Sequence, residues 1–239
     1  MDSPGVRANV LDLASTRDGL MCFSATASFA TAAVTGATGI VATVRSVEAR
    51  DMPLAAIPIF FSIQQALEGF LWLTLPVAPD GAQASLLTDA FLLFALVFWP
   101  AFAPFVAWLI DPDVFRRKLI AVPMMIGWAV AAYLLWMLVI GEHRASIVDG
   151  HIAYENNPGA PFIVGLLYLV ATAGAPLLSS HAAVRALGLT VLAGSLLAYV
   201  LYTDAFVSVW CFFAAAASGV ILVHFEQVRA QRRAALAGE

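Results

Sequence analysis

Seven apolar stretches, each long enough to cross a lipid bilayer, account for most of the 239 residues of this chain. A hydrocarbon core about 30 Å thick requires roughly 20 helical residues at about 1.5 Å each, so seven crossings use about 140 residues and leave short connections. The predicted spans cover residues 23–44, 54–75, 86–110, 118–140, 160–178, 184–203 and 206–227.

Composition supports lipid as the solvent of these stretches. Hydrophobic residues make up 62% of the chain and charged residues 12%, whereas soluble domains are about half apolar and a quarter charged. Because the backbone in lipid must satisfy its own hydrogen bonds, long apolar runs without barrel-type alternation predict helices. We therefore predict an all-α fold, a polytopic integral membrane bundle of seven transmembrane helices. The bilayer is its expected partner, and the net charge of −4 gives no sign of nucleic-acid binding.

The positions of Lys and Arg near span ends predict the orientation. Nine lie in the connections after spans one, three and five or in the C-terminal tail, and three lie on the opposite side. The N-terminus is therefore expected outside and the C-terminus in the cytoplasm of a bacterium, with the protein in the inner membrane. Residues 1–20 form a polar extension whose composition permits disorder, residues 21–228 the seven-helix domain, and residues 229–239 a basic cytoplasmic tail. The start of the protein is Met1 or Met21.

The second span carries the strongest functional signal, the run from Gln64 through Gln65 to Glu68. An ionised carboxylate at this depth costs several kcal/mol unless it is paired or protonated, so Glu68 should face the interior of the bundle. It either ties helices together or acts as a proton relay or ligand contact, and both interpretations stay open. Candidate partners at a similar depth are Asp89, Tyr133, Tyr199 and Tyr202.

The connection at residues 141–159 is predicted to be an outward-facing loop that caps this site. With Cys22, its two histidines, His143 and His151, form a candidate metal site, because thiolate and imidazole bind transition metals. No HxxxH, HExxH or CxxC spacing supports it, and no cofactor is assigned. Cys22 and Cys211 also lie near the outer face, where a disulfide between them is the alternative.

Two further patterns bear on packing. The first span carries a stripe of hydroxyl side chains, which predicts a tight helix interface or a hydroxyl-lined path, and span seven is its expected neighbour. The stripe consists of Ser24, Ser28, Thr31, Thr35 and Thr38. Prolines inside the spans predict kinks. These are Pro58, Pro100, Pro104, Pro123 and Pro176.

The segment Met21-Cys-Phe-Ser-Ala-Thr-Ala-Ser-Phe29, followed later by Ser62-Ile-Gln-Gln-Ala-Leu-Glu-Gly69, carries a resemblance. It is similar to a family of bacterial multi-pass membrane proteins of unknown function that open with Met-Cys-Phe-Ser-Ala. The resemblance extends over the helical region and implies that residues 1–20 are an extension. It implies no activity.

Three familiar seven-helix classes do not fit. A retinal protein needs a Schiff-base lysine in the seventh span, and the only lysine is Lys118. The four histidines are scattered over both faces, unlike the zinc site of ceramidase-type hydrolases, and no Pro-Gln dipeptide marks a sugar or amino-acid transporter. The favoured function is an outward-facing pocket for a small molecule or metal around Glu68, with or without enzymatic activity. A proton-coupled permease and a sensory or accessory subunit are the alternatives.

Overall fold

Seven helices and one β-hairpin make up the part of the chain that the computed structural model describes, residues 24–46, 48–148, 150–157, 159–201 and 217–230. The side chains of residues 156–157 and 198–201 are not described. The elements are α1 Ala25–Arg45, α2 Met52–Thr74, α3 Ala82–Ile110, α4 Val114–Ile140, β1 Glu142–Val148, β2 His151–Asn157, α5 Phe162–Leu177, α6 Ala182–Leu201 and α7 at 217–230.

Four of these helices are long and apolar enough to cross a membrane: α1, α2 with the 3₁₀ turn Ala49–Asp51 before it, α3 and α4. They coincide with the first four predicted spans. The apolar parts of α5 and α6 are shorter in the described residues, at Phe162–Leu177 and Ala182–Leu197. The predicted sixth and seventh spans run into residues 202–216, which lie outside the described residues. The prediction of an all-α fold is confirmed for the described residues, apart from the hairpin.

The predicted loop at 141–159 is wrong in part, because most of it forms a two-stranded antiparallel hairpin. Alternation explains the strands: Ala145 and Ile152 are buried, whereas Arg144 and Glu155 are exposed. The strands pair from Glu142 with Asn157 to Val148 with His151, so only two residues separate them in the chain. Gly150 has a φ of 78°, the left-handed region that such tight hairpins require and that glycine adopts without strain.

α1 packs closely on α2, and two residues of its hydroxyl stripe, Ser28 and Thr35, are buried, which favours the packing interpretation. A Cβ on Gly39 would lie 2.8 Å from the backbone N of Ile59, and Ser62 Oγ donates to the Ala32 carbonyl at 2.7 Å. Thr35 and Thr38 donate to carbonyls of their own helix. Small residues let two helices approach closely in lipid, where van der Waals contact drives association. At the far end of α1, Arg45 pairs with Glu226 of α7.

Two of the five interior prolines follow π-helical segments, Leu93–Phe98 in α3 and Val170–Gly174 in α5. A proline ring conflicts with the carbonyl four residues earlier and removes one N–H. For Pro100 and Pro176 that carbonyl belongs to a residue inside the π segment, so widening the helix there relieves the conflict. At the other three prolines the helix stays α-helical.

The two π segments meet within the bundle. The Tyr168 hydroxyl, two residues before the second segment, donates to the Ala95 carbonyl inside the first at 2.7 Å. α4 crosses beside both segments at Gly127, which faces the Pro100 carbonyl and the Ala171 methyl group. The middle of the bundle is therefore built around two widened helices and one glycine contact.

Candidate functional site

The amide–carboxylate cluster, Gln64, Gln65 and Glu68, is buried in α2. Their exposed fractions are 0%, 5% and 2%. Gln65 Nε2 donates to Glu68 Oε2 at 3.1 Å, the contact that their spacing of three residues on a helix allows. The prediction that Glu68 faces the interior agrees with this burial.

Trp99 of α3 joins the amide–carboxylate cluster from the neighbouring helix. Its indole Nε1 donates to Gln64 Oε1 at 2.6 Å, and its ring stacks on Phe61 at 4.1 Å between centroids. Trp99 directly follows the first π segment. This partner was not predicted from the sequence, although a tryptophan in the middle of an apolar span is a usable signal, because a buried indole N–H needs an acceptor.

The predicted partners of Glu68 are dispersed in the structure. Asp89 lies half-exposed in α3, with Oδ1 3.5 Å from His143 Nδ1 of the hairpin. Tyr133 packs against a separate apolar cluster of α4 and α5, beside Trp136. The Tyr199 side chain and the whole of Tyr202 lie outside the described residues. The structure therefore gives Glu68 a hydrogen bond from Gln65 and gives Gln64, one turn before Glu68 on α2, a hydrogen bond from Trp99.

The hairpin covers one end of the bundle. Tyr154 stacks on Phe91 of α3, with ring centroids 4.6 Å apart and an interplanar angle of 3°. Ile152 is fully buried and belongs to the same apolar core as Leu71 and Leu75 near the end of α2. The segment predicted to cap the end of α2 is thus a docked hairpin with a buried apolar face.

The two histidines of the candidate metal site are not brought together. His143 pairs in register with Asn156 and His151 with Val148, so they lie near opposite ends of the hairpin and on opposite faces. Cys22 and Cys211 lie outside the described residues. Among the residues that the structure describes, no group of three His, Cys, Asp or Glu side chains is placed to hold a metal ion.

A second buried polar cluster, which the sequence analysis did not identify, lies at the opposite end of the bundle from the hairpin. Asp111, 2% exposed, follows α3 and accepts hydrogen bonds from the short connection between α5 and α6. Its donors are Ser179 Oγ at 2.9 Å, Ser180 N at 2.6 Å, Ser180 Oγ at 2.8 Å and Asp113 N at 3.0 Å. Burial raises the pKa of Asp111, but the hydrogen bonds from Ser180, Ser179 and Asp113 outweigh burial, so its pKa lies below the ordinary value of 3.8.

Two arginines and two histidines also make contacts at this end of the bundle. Arg116 and Arg185 donate to backbone carbonyls of the same connection. His181 Nε2 lies 3.1 Å from the Ile110 carbonyl, and its ring lies edge-on to His224 of α7 at 6.0 Å. These contacts tie α3, α5, α6 and α7 together at one level.

Replacing Trp99 with phenylalanine is expected to lower the free energy of unfolding by about 2 kcal/mol, because a buried hydrogen bond is lost while an aromatic ring still packs on Phe61. The matched control is Trp128→Phe, which removes a longer bond of 3.3 Å from a side chain that is 43% exposed. Denaturation in detergent micelles measures both. An equal effect of the two substitutions would contradict a special role for Trp99.

Comparison with known proteins places the chain in a family without adding an activity. Among proteins of curated function none matches the chain, and none of the solved structures matches it. The profile of one family covers residues 21–237, so the resemblance expected from the sequence is confirmed. The chain belongs to this family of unknown function, DUF6629.

Proposed function

We propose that this protein is a seven-span protein of the bacterial inner membrane in which Glu68 takes up and releases a proton as part of a coupled transport cycle. The four apolar helices support the membrane assignment. The orientation, with the N-terminus outside, is supported by the clustering of basic residues at the end of the bundle opposite the hairpin. Those with described contacts at that end are Arg45, Arg50, Arg116, Arg117 and Arg185.

The observation that carries this proposal is a carboxyl group that is 2% exposed within an apolar span, six residues from the end of α2 and beside two amides. Ionisable groups within spans are rare, expensive and tied to proton or ion pathways. Neither of the two cavities that stand out among the described residues is lined by Glu68. Uptake of a proton needs no cavity at its site, so the described geometry is compatible with proton uptake.

The position of Glu68 one turn from Gln64, which binds Trp99 beside the helix break, supports coupling. A change in the charge of Glu68 alters its hydrogen bond with Gln65, and Gln64 on the same face holds Trp99 at the end of the first π segment. Transporters commonly place their sites at interrupted helices in the middle of the membrane. Here α3 and α5 are both widened and joined by the bond from Tyr168 to Ala95. The proton-coupled alternative therefore ranks above a static pocket.

The test compares wild type, Glu68→Gln and Glu142→Gln, which alters an exposed glutamate of the hairpin. In infrared spectra of protein in liposomes, we expect a protonated-carboxyl band that changes with pH, is lost in Glu68→Gln and persists in Glu142→Gln. Proton flux into the same liposomes should fall at least tenfold in Glu68→Gln, since glutamine keeps the shape and loses the proton site. An unchanged band and flux in Glu68→Gln would end the proposal.

A pocket for a small molecule or a metal ion, with the hairpin as its cap, is the second candidate function. The docking of Tyr154 on Phe91 favours it, because this places a built cover over the outer end of the bundle. The same experiment separates the two candidates. Proton uptake by Glu68 in protein without ligand supports coupling, whereas a pocket predicts that the carboxyl band changes only when a ligand is added.

A further inference from the structure

An open apolar groove, the α3–α4 groove, runs along the outside of these two helices. Its volume is about 470 Å³, within the range of ligand sites in proteins, and all of its lining residues are apolar. The lining includes Phe94, Val97, Phe98, Ala101, Phe105 and Trp128. Trp128 bridges the two helices at the floor, where its Nε1 donates to the Ala101 carbonyl at 3.3 Å.

The groove has the length of one leaflet of a bilayer. Phe94 and Phe105 are eleven residues apart, which corresponds to about 17 Å along a helix, and half of a hydrocarbon core of about 30 Å is about 15 Å. Phe94 lies near the middle of α3, and Phe105 lies one turn or so from its end at Ile110. The groove therefore extends from the middle of the span to its inner end.

The side chain of Arg117 lies at the end of the groove. Phe105 stacks on Trp108 with ring centroids 6.4 Å apart. The Arg117 guanidinium lies 4.3 Å from the centroid of the Trp108 ring. Arg117 and Trp128 are also eleven residues apart on α4, which returns them to the same helix face. The contact with Trp108 holds Arg117 at this place while its charge remains directed to the interface. Lys118, the next residue, is exposed.

The other charges nearby are already engaged. Arg116 donates to the Leu178 and Ser179 carbonyls. The Asp113 carboxylate accepts from the Phe115 and Arg116 backbone N–H groups at the start of α4. Asp111 is buried among its serine donors. Among the described cations at the start of α4, Arg117 and Lys118 are thus the two available to an anion at this end of the groove.

From the hydrocarbon groove and the cation at its end, we propose that the α3–α4 groove binds an anionic phospholipid. One acyl chain lies along the face from Phe94 to Phe105, and the phosphate meets Arg117 and Lys118. Basic positions on the cytoplasmic side of membrane helices bind anionic headgroups in this way. The assignment to the inner leaflet rests on the proposed orientation, whereas the binding itself does not.

Native mass spectrometry of the full chain in detergent tests the proposal. A phosphatidylglycerol and a phosphatidylethanolamine with identical acyl chains are added separately. Wild type should prefer the anionic lipid by about fivefold or more, since each basic residue near the surface contributes about 1 kcal/mol. Arg117→Gln should reduce that preference about fivefold. Arg144→Gln, which alters an exposed arginine of the hairpin, should leave it unchanged.

A second variant tests the acyl-chain groove. Ala101→Leu fills the groove and should weaken both lipids alike, whereas Ala37→Leu on an exposed face of α1 should weaken neither. An unchanged lipid preference in Arg117→Gln overturns the proposal even if Ala101→Leu fails to fold. A stable dimer that excludes lipid would show that the groove takes a second copy, and would overturn it as well. A reporter fused after Glu239 and active only in the periplasm would overturn the leaflet and orientation while leaving lipid binding intact.

Discussion

Replacing Gly127 with alanine is expected to lower the free energy of unfolding by at least about 3 kcal/mol, at the upper end of the range for overpacked sites. A Cβ there would collide with the Pro100 carbonyl oxygen and would lie 3.1 Å from its carbon and 3.0 Å from the Ala171 Cβ. The obstacle is backbone, so no side-chain rotation relieves it. Pro104 has no N–H to offer the Pro100 carbonyl, so this oxygen has no donor at the usual helical position and lies against α4, where only glycine fits.

The matched control is Gly165→Ala in α5, where an added Cβ meets no atom within 4 Å. That substitution should be neutral or slightly stabilising, because alanine favours helix by up to about 1 kcal/mol over glycine. Denaturation of the two variants in the same detergent measures the difference. If Gly127→Ala were as stable as Gly165→Ala, α4 would not cross Pro100 as closely as the structure places it.

The hydropathy of the chain predicts its helices because each span must satisfy its backbone within one segment. The long helices α1 to α4 follow the predicted spans for that reason. The hairpin was missed because its seven-residue strands carry weak alternation, although Asp149-Gly150 between them is a strong turn signal. The π segments were also missed, since proline predicts only that a helix is perturbed. Whether it bends or widens depends on the neighbours that pack against it.

Within the candidate site, the sequence predicts proximity reliably only for residues on the same helix. Gln64, Gln65 and Glu68 share a helix and a spacing, so their proximity follows from the sequence. The contact with Trp99 joins residues 35 positions apart and depends on how α2 and α3 cross. Asp111 illustrates the same limit, because its serine donors come from a connection that only the folded bundle brings to it. Contacts between helices depend on how the helices cross, and a residue pattern within one helix does not predict that crossing.

Replacing Asp111 with alanine is expected to lower the free energy of unfolding by at least about 3 kcal/mol. The carboxylate accepts four hydrogen bonds, and bonds to charged groups contribute about 1.5–3 kcal/mol each, although not additively. Its loss leaves the backbone N–H of Ser180 and the Ser179 hydroxyl without this acceptor at the junction of α3 with the α5–α6 connection. Asp80→Ala, at a side chain that is 84% exposed, should change stability by less than about 0.5 kcal/mol.

The same carboxylate should give the protein an acid-sensitive stability. The pKa of Asp111 in the folded protein lies below its ordinary value of 3.8, because the hydrogen bonds from the two serines outweigh burial. The unfolded chain therefore binds this proton more readily. The stabilisation is complete above about pH 4 and is lost as the pH falls through the pKa of the folded state. Denaturation midpoints from pH 7 to pH 3 should fall more steeply in wild type and Asp80→Asn than in Asp111→Asn, whose uncharged amide cannot titrate. If the denaturation midpoints of all three proteins fell equally with pH, the acid sensitivity would come from other groups. The serine contacts would then not stabilise the ionised form of Asp111.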